Sequence, residues 1–299
     1  MSRLVRILTT LLLVSMATTT AMAQSDSASA WKTAIIVDLT TTQAAYSDSW
    51  VGGEAGSFNW VGNLNGSAEK QLQPRVNFKS TLKMSFGQTH TQDKDTKNWN
   101  KPVKSTDLID WENVARFTFG GYVDPYAAFR VETQFLDASF DAKKRYLNPI
   151  KLTESGGIAR VFYDKEDGQI MSRLGLAIRQ MMDKQITDTV ALSTQNVSTT
   201  DGGFESVTDV SYAFNERLKY TGKLTLYKAL FYSEKDAVQG TPFENDWKAI
   251  DVNWENIINA QISKIVTVNL YLQLLYDKQV SVKGRLKETL GIGFVFNLM

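Results

Sequence analysis

The chain contains many runs in which apolar and polar side chains alternate residue by residue. At 266–274 the even-numbered positions are all apolar, and polar residues such as Thr267 and Gln273 lie between them. Neighbouring side chains of a strand point to opposite faces, so this run predicts a strand with one apolar and one polar face. Similar patterns occur at 76–86 and at 290–298.

Runs of this kind predict twelve strands. They cover residues 32–45, 57–71, 75–90, 106–120, 126–138, 151–163, 170–183, 203–214, 218–232, 247–262, 266–277 and 286–298. Most of them are longer than the average globular strand of about five or six residues. A tilted strand needs about 9 to 11 residues to cross a bilayer, and these runs meet that requirement.

The connections between the predicted strands alternate in length. Every second connection is short and rich in turn-forming residues, as at Gln73-Pro74 and at 121–125. Most of the others are polar and run about 11 to 19 residues, and the last, at 278–285, is shorter. We therefore expect an all-β fold, a closed antiparallel up-and-down transmembrane β-barrel of about 12 strands. Its short turns would be periplasmic and its longer loops extracellular.

The first residues carry the features of a secretory signal. Arg3 and Arg6 precede an apolar stretch at 7–18, and Ala21-Met22-Ala23 forms a small-residue cleavage site. We therefore expect export to the bacterial outer membrane after cleavage. The predicted organisation is a signal peptide at 1–23, an N-terminal extension at 24–31 and an outer-membrane β-barrel domain at 32–299.

Composition narrows the function classes. The chain has 33 basic and 32 acidic residues, one histidine and no cysteine. This balance gives no support for nucleic acid as a partner, and the missing cysteines exclude disulfides and a lipid-modified cysteine. With a single histidine, we expect neither a multi-histidine metal site nor a cofactor. No segment after the signal has about 18 consecutive apolar residues, which excludes a helical membrane protein.

Several stretches resemble one known family. The similarity lies in LTTTQAAYSDSWVGGEAGSFNWVGNLNGS, in KSTDLIDWEN, in IDVNWENIINAQISKIVTVNLYLQLLYDKQV and in GRLKETLGIGFVFNLM. These stretches resemble the domain of unknown function 3078 family, whose members are outer-membrane β-barrel-like proteins. The resemblance spans most of the chain except about 140–215. It implies the fold and the location, and no functional residue, since the family has no established activity.

The resemblance also bears on the expected partners, which are outer-membrane lipid and the barrel-assembly machinery. Barrels of this kind usually end on an aromatic residue that the machinery recognises, whereas this chain ends at Met299. Phe294 and Phe296 keep the alternation of the last strand. We expect recognition through this C-terminal strand.

Strand parity predicts which charged side chains line the interior. The lumen-lining candidates are Lys79, Lys83, Arg116, Arg130, Glu132, Arg173, Arg179, Lys219, Lys223, Asp251, Glu255 and Lys287. Parity also turns Glu69, Glu112 and Asp209 inward, so both signs are present and the basic residues are in excess. Two interpretations stay open. The charges pair and close a structural barrel, or they line a narrow channel for small polar or anionic solutes.

Two other function classes remain as alternatives. Ser105 and Asp107 near His90 on the outer wall would suit a lipid hydrolase. No motif surrounds Ser105, so we expect a solvated histidine, no catalytic residue and no enzyme. The second alternative is a secreted soluble β-barrel that binds a ligand. Such barrels use about eight strands, which would leave roughly a third of this chain unplaced.

Overall fold

The computed structural model describes residues 30–46 and 55–297. The predicted signal peptide at 1–23 and residues 24–29 of the predicted extension lie outside this part of the chain. The barrel belongs to a single compact unit that starts at Trp31. The described residues contain no helix long and apolar enough to cross a membrane.

Fourteen strands and one short 3-10 helix make up the described structure. The strands are β1 (Lys32–Ala44), β2 (Ser57–Gln73), β3 (Val76–Thr91), β4 (Val103–Phe117), β5 (Asp124–Thr133), β6 (Leu136–Asp137), β7 (Arg145–Tyr146), β8 (Ile150–Lys165), β9 (Gly168–Asp188), β10 (Ser193–Ala213), β11 (Leu218–Tyr232), β12 (Ile250–Gln261), β13 (Val266–Tyr276) and β14 (Arg285–Asn297). The 3-10 helix is η1 (Asp246–Lys248).

Twelve of these strands form a closed antiparallel barrel, which confirms the predicted fold. The order around the barrel is β1-β14-β13-β12-β11-β10-β9-β8-β5-β4-β3-β2. Closure is made by β1 and β14, which pair from Ile36–Asn297 to Thr41–Ile292. The two-residue strands β6 and β7 form a separate hairpin in the connection between β5 and β8. Closure matters in lipid, because an open sheet edge would leave backbone groups without partners.

In two regions the strands differ by more than three residues from the sequence-based prediction. The predicted loop at 184–202 is mostly strand, since β9 continues to Asp188 and β10 already begins at Ser193. This extension is polar on both faces, so it has no apolar alternation to predict a strand. At its tip, a carboxylate oxygen of Asp188 accepts the backbone N–H groups of Val190 and Ala191 at 2.7 and 2.8 Å.

The second difference lies after β5. The predicted strand at 126–138 ends at Thr133. The residues that follow β5 bind to Asp107 of β4 and leave the strand pairing. The carboxylate of Asp107 accepts the backbone N–H groups of Phe135 and Leu136 at 2.7 and 2.9 Å. The ring of Phe135 also packs edge-on against Phe86 on the outer wall, with 6.2 Å between centroids.

The outer wall of the barrel is apolar and exposed. On β9, Leu174, Leu176 and Ile178 alternate with Gly175 and Ala177, and the side chain of Leu176 is 58% exposed. Exposed leucine and isoleucine recur on the same face of neighbouring strands, as do Trp111 and Trp254. So large an apolar surface is unfavourable in water and stable in lipid. This wall is therefore the surface that meets the membrane.

A substitution on β9 tests this assignment. In Leu176→Arg, the guanidinium enters the hydrocarbon layer, so the free energy of unfolding falls by about 2–4 kcal/mol. The measurement is urea-induced unfolding of the barrel in phospholipid vesicles. Val190→Arg is the matched control, because Val190 is 92% exposed at the hairpin tip beyond the wall. Its effect stays within about 0.5 kcal/mol. Equal losses in both variants would contradict a lipid-facing β9.

Candidate functional site

Charged side chains from distant strands meet at the centre of the barrel. The two oxygens of Glu112 on β4 accept from Arg173 of β9 and from Lys223 of β11, each at 2.7 Å. Four strands separate β4 from β11 along the shorter way round, so the second contact crosses the lumen. The side chain of Arg173 is only 2% exposed and also lies 3.4 Å from Asp209. The central ion cluster is therefore largely buried and bridges the lumen between β4, β9 and β11.

A second ion cluster lies toward the end with the longer connections. Arg179 donates two hydrogen bonds to Asp201 at 2.7 and 3.0 Å, and a third to Asp251 of β12 at 2.8 Å. Its guanidinium lies over the ring of Tyr227, 3.5 Å from the centroid. The hydroxyl of Tyr227 donates to Asp201 at 2.5 Å. Each nitrogen of the Arg179 guanidinium and the hydroxyl of Tyr227 donate to a carboxylate, and such charge-assisted hydrogen bonds hold the cluster in place.

Arg130 forms a third cluster beside the central one. It makes a bidentate contact with Asp110, at 2.7 and 2.9 Å, and lies 3.2 Å from Glu132. Glu132 in turn lies 3.3 Å from Lys151. These contacts join β4, β5 and β8, which are neighbours in the barrel.

The other half of the lumen is mainly lined by uncharged polar groups. We call this half, formed by β12, β13, β14, β1, β2 and β3, the neutral sector. Neighbouring strands exchange amide hydrogen bonds there, from Asn259 to Asn269 at 2.7 Å and from Gln273 to Asn253 at 3.0 Å. The three ion clusters described above lie in the half of the lumen opposite the neutral sector, apart from Asp251 of β12.

Two long side chains tie the neutral sector across the lumen. Lys83 of β3 lies 3.2 Å from Glu255 of β12, with four strands between them along the shorter way round. Lys287 of β14 donates to the hydroxyl of Thr106 on β4 at 2.9 Å. The side chain of Lys83 is 29% exposed and that of Glu255 is 9% exposed, so water reaches the lysine end of this tie.

The remaining predicted lumen residues lie toward the end of the barrel with the short turns. Arg116 lies 3.4 Å from Asp124, close to the turn that follows β4. Lys79 stands opposite Glu69 in the register of β2 and β3. Lys219 borders an open depression at the end with the short turns.

The predicted basic excess of the interior is wrong. Asp38, Asp110, Asp201 and Glu205 also belong to the inner face. Asp38 accepts from the inward Asn63 at 2.8 Å, and Glu205 is buried on the same face of β10 as Asp209. Asp201 was not predicted because its position lay in the predicted loop. For Asp38, Asp110 and Glu205, strand parity was the only feature of the sequence that indicated an inward side chain.

The connection between β11 and β12 folds into the mouth of the barrel. We call residues 233–249 the mouth segment. Its Trp247 packs against Ala177, Tyr227 and Ala229, which face the lumen. The neighbouring Asp246 is buried and lies 3.0 Å from Lys278 in the connection after β13. Hydrogen bonding and charge from Asp246 raise the pKa of Lys278 above its ordinary value, so Lys278 stays charged at neutral pH.

A half-open cavity of about 440 Å³ lies between the mouth segment and the ends of the neighbouring strands. Tyr232, Phe243 and Trp247 form one side of it, and Arg179 and Asp201 belong to its lining as well. The cavity therefore lies directly above the second ion cluster. It was not predicted from the sequence, because its residues come from four separate connections and strand ends.

The residues considered for a lipid hydrolase have other partners. The hydroxyl of Ser105 donates to Asn59 at 3.3 Å, and the carboxylate of Asp107 accepts the backbone groups after β5. The ring of His90 lies 6.4 Å from that of Phe58. Over residues 30–46 and 55–297, no group of three or more His, Asp or Glu side chains is arranged to hold a metal ion.

A closed antiparallel barrel with an apolar outer wall and a charged interior defines a transmembrane β-barrel. The family described as "Protein of unknown function (DUF3078)" matches residues 41–138, which confirms the resemblance to that family over this part of the chain. No curated protein matches the sequence.

Two solved structures illustrate the similarity of fold. An outer-membrane channel from Pseudomonas putida F1 is similar at 12% identity and a TM-score of 0.42, over 93% of this chain and 100% of that chain. The translocator domain of the autotransporter NalP from Neisseria meningitidis is similar at 10% identity and a TM-score of 0.39, over 97% of this chain and 95% of that chain.

The tie between Asp246 and Lys278 gives a testable prediction for the mouth segment. Lys278→Met removes the cation that holds the buried carboxylate, so amide hydrogen exchange in 235–248 becomes severalfold faster. Lys283→Met, which removes an exposed lysine from the same connection, serves as control and leaves exchange unchanged. The measurement is hydrogen–deuterium exchange followed by mass spectrometry in detergent. Identical exchange in both variants would show that Lys278 does not hold the segment.

Proposed function

We propose that the protein is an integral barrel of the bacterial outer membrane that provides a narrow path for small polar solutes, closed at rest by ion pairs across its lumen. The predicted signal peptide and the sorting of short and long connections support this location. The short turns then face the periplasm and the mouth segment faces outward. The observation that carries the proposal is the water-accessible tie between Lys83 and Glu255 in the neutral sector.

The ion pair of Lys83 and Glu255 favours a path that is closed at rest and can open, over a lumen that is permanently blocked. It consists of two side chains, of which Lys83 is 29% exposed and Glu255 is 9% exposed. Water reaches the lysine once the pair separates, so this tie opens at a lower cost than the cluster around Arg173. The neutral sector beside it offers amides and hydroxyls, which exchange hydrogen bonds with a passing polar molecule. The buried central cluster of Glu112, Arg173 and Lys223 stays shut, because separating its charges would cost several kcal/mol.

A purely structural barrel is the second candidate, and the central cluster favours it. Its contacts join β4 to β9 and β11 and stiffen the wall from inside. We expect no enzymatic activity in either case. We also propose that the assembly machinery recognises β14, the strand that closes the barrel against β1.

Conductance in planar bilayers tests the path. The folded protein conducts rarely and weakly, and Glu255→Gln raises its conductance severalfold, because Lys83 loses the charge that holds it across the lumen. The substitution keeps the shape of the side chain. Glu166→Gln, in the exposed turn between β8 and β9, removes the same charge and leaves conductance unchanged. The charge-swapped pair Lys83→Glu with Glu255→Lys restores closure.

The same recordings decide between the two candidates. If Glu255→Gln shows no conductance above the lipid background, the path fails and the structural barrel stands. If the control variant conducts as strongly as Glu255→Gln, the loss of a negative charge, and not the tie, explains the result.

A further inference from the structure

The cavity at the outer mouth has the size of a ligand site. Its volume of about 440 Å³ lies within the range of about 300–1,000 Å³ that is common for small-molecule sites. The floor is formed by the ion cluster of Arg179 and Asp201, which separates the cavity from the rest of the lumen. A solute that enters from outside therefore meets this cavity first.

One side of the cavity is aromatic and held in place. The rings of Tyr232 and Trp247 lie 6.3 Å apart at an interplanar angle of 31°. Trp247 is held by its apolar contacts with Ala177 and Ala229 and by the ion pair of the preceding Asp246. Phe243 extends this wall and is exposed. A fixed aromatic surface binds the C–H face of a flat molecule at little cost in conformational entropy.

Other lining residues are polar and carry planar hydrogen-bonding groups. Asp201, Asp277 and Gln279 belong to the lining, together with the hydroxyl of Thr199 and the amine of Lys151. Carboxylate and amide groups of this kind accept and donate in pairs, which matches neighbouring hydroxyls on a ring. The cavity therefore fits a ligand that has one apolar face and a rim of hydroxyls.

Most charges around the cavity are already compensated. Arg179 is bound by Asp201 and Asp251, Lys151 lies beside Glu132, and the carboxylate of Asp246 belongs to Lys278. Asp277, which also lines the cavity, has no ion-pair partner among the described residues and accepts the backbone N–H of Gln279. An anionic ligand would be repelled by Asp277 and would have to displace one of the paired carboxylates. The site therefore favours an uncharged ligand over a carboxylate.

We propose that this cavity binds an uncharged mono- or disaccharide, with the sugar ring against Trp247 and its hydroxyls toward Asp277 and Gln279. The transport of that sugar rests on the proposed function, whereas its binding does not. The neutral sector of the lumen offers the same amide and hydroxyl chemistry. Sugar binding at the mouth would raise the local concentration of the solute at the entrance.

Titration calorimetry of the full-length protein in detergent tests the binding without transport. The probes are glucose and maltose, with sodium benzoate as an anionic aromatic probe of similar size. A sugar binds, and benzoate does not. Trp247→Ala weakens sugar binding by about tenfold or more, because the ring loses its stacking surface. Gln279→Ala weakens it as well and leaves the apolar contacts of Trp247 intact, so it reports on binding even if Trp247→Ala disturbs the mouth segment.

Tyr146→Ala is the control, since Tyr146 is an exposed aromatic residue in another outer connection, on β7. It binds the sugar as the original protein does. The proposal is overturned if neither sugar binds, if benzoate binds instead, or if Tyr146→Ala weakens binding as much as Trp247→Ala. If the sugar binds but the protein does not conduct in the bilayer, the sugar site is supported and the proposed path through the lumen is rejected.

Discussion

A charged side chain inside a barrel is stable only where an opposite charge or other hydrogen-bonding groups compensate it. Glu112 shows how strictly this constraint acts, because two cations from two different strands occupy its two oxygens. Removing either cation would leave a buried charge with an incomplete partner set, which is far costlier than any gain from the pair itself. The arrangement of β4, β9 and β11 around the lumen is therefore coupled to the identity of three side chains.

The division of the lumen follows from the same constraint. Where charges are dense, as around Glu112, Arg130 and Arg179, they neutralise each other and fill the space between the strands. Where the inner face mainly carries amides and hydroxyls, two long side chains cross the lumen, Lys83 to Glu255 and Lys287 to Thr106. Fixed charges thus close one half of the barrel, and the other half is left to side chains that can move aside. The mouth segment adds an aromatic entrance above the fixed half.

Alternation of apolar and polar residues predicted the number of strands, their approximate positions and their closure, because lipid on one side and charges on the other impose a period of two. Parity also predicted that Glu255 and Arg173 face inward. It could not predict which residues meet, since the partner of Glu255 lies 172 residues away and depends on how the barrel is staggered and flattened. The parts of β9 and β10 that extend beyond the apolar wall were not predicted, for a related reason. Around 193–200 both faces meet water, so the sequence carries no alternation there.

The most direct test of the account is the coupling free energy between Arg173 and Glu112. It is obtained from the unfolding free energies of the original barrel, Arg173→Met, Glu112→Gln and the double variant, measured by urea titration in lipid vesicles. A direct, buried pair predicts a favourable coupling of about 1–3 kcal/mol, with each single variant strongly destabilised and the double variant less so than their sum. Additive effects within about 0.3–0.5 kcal/mol would mean that the two residues do not meet, and would contradict a lumen closed by ion pairs.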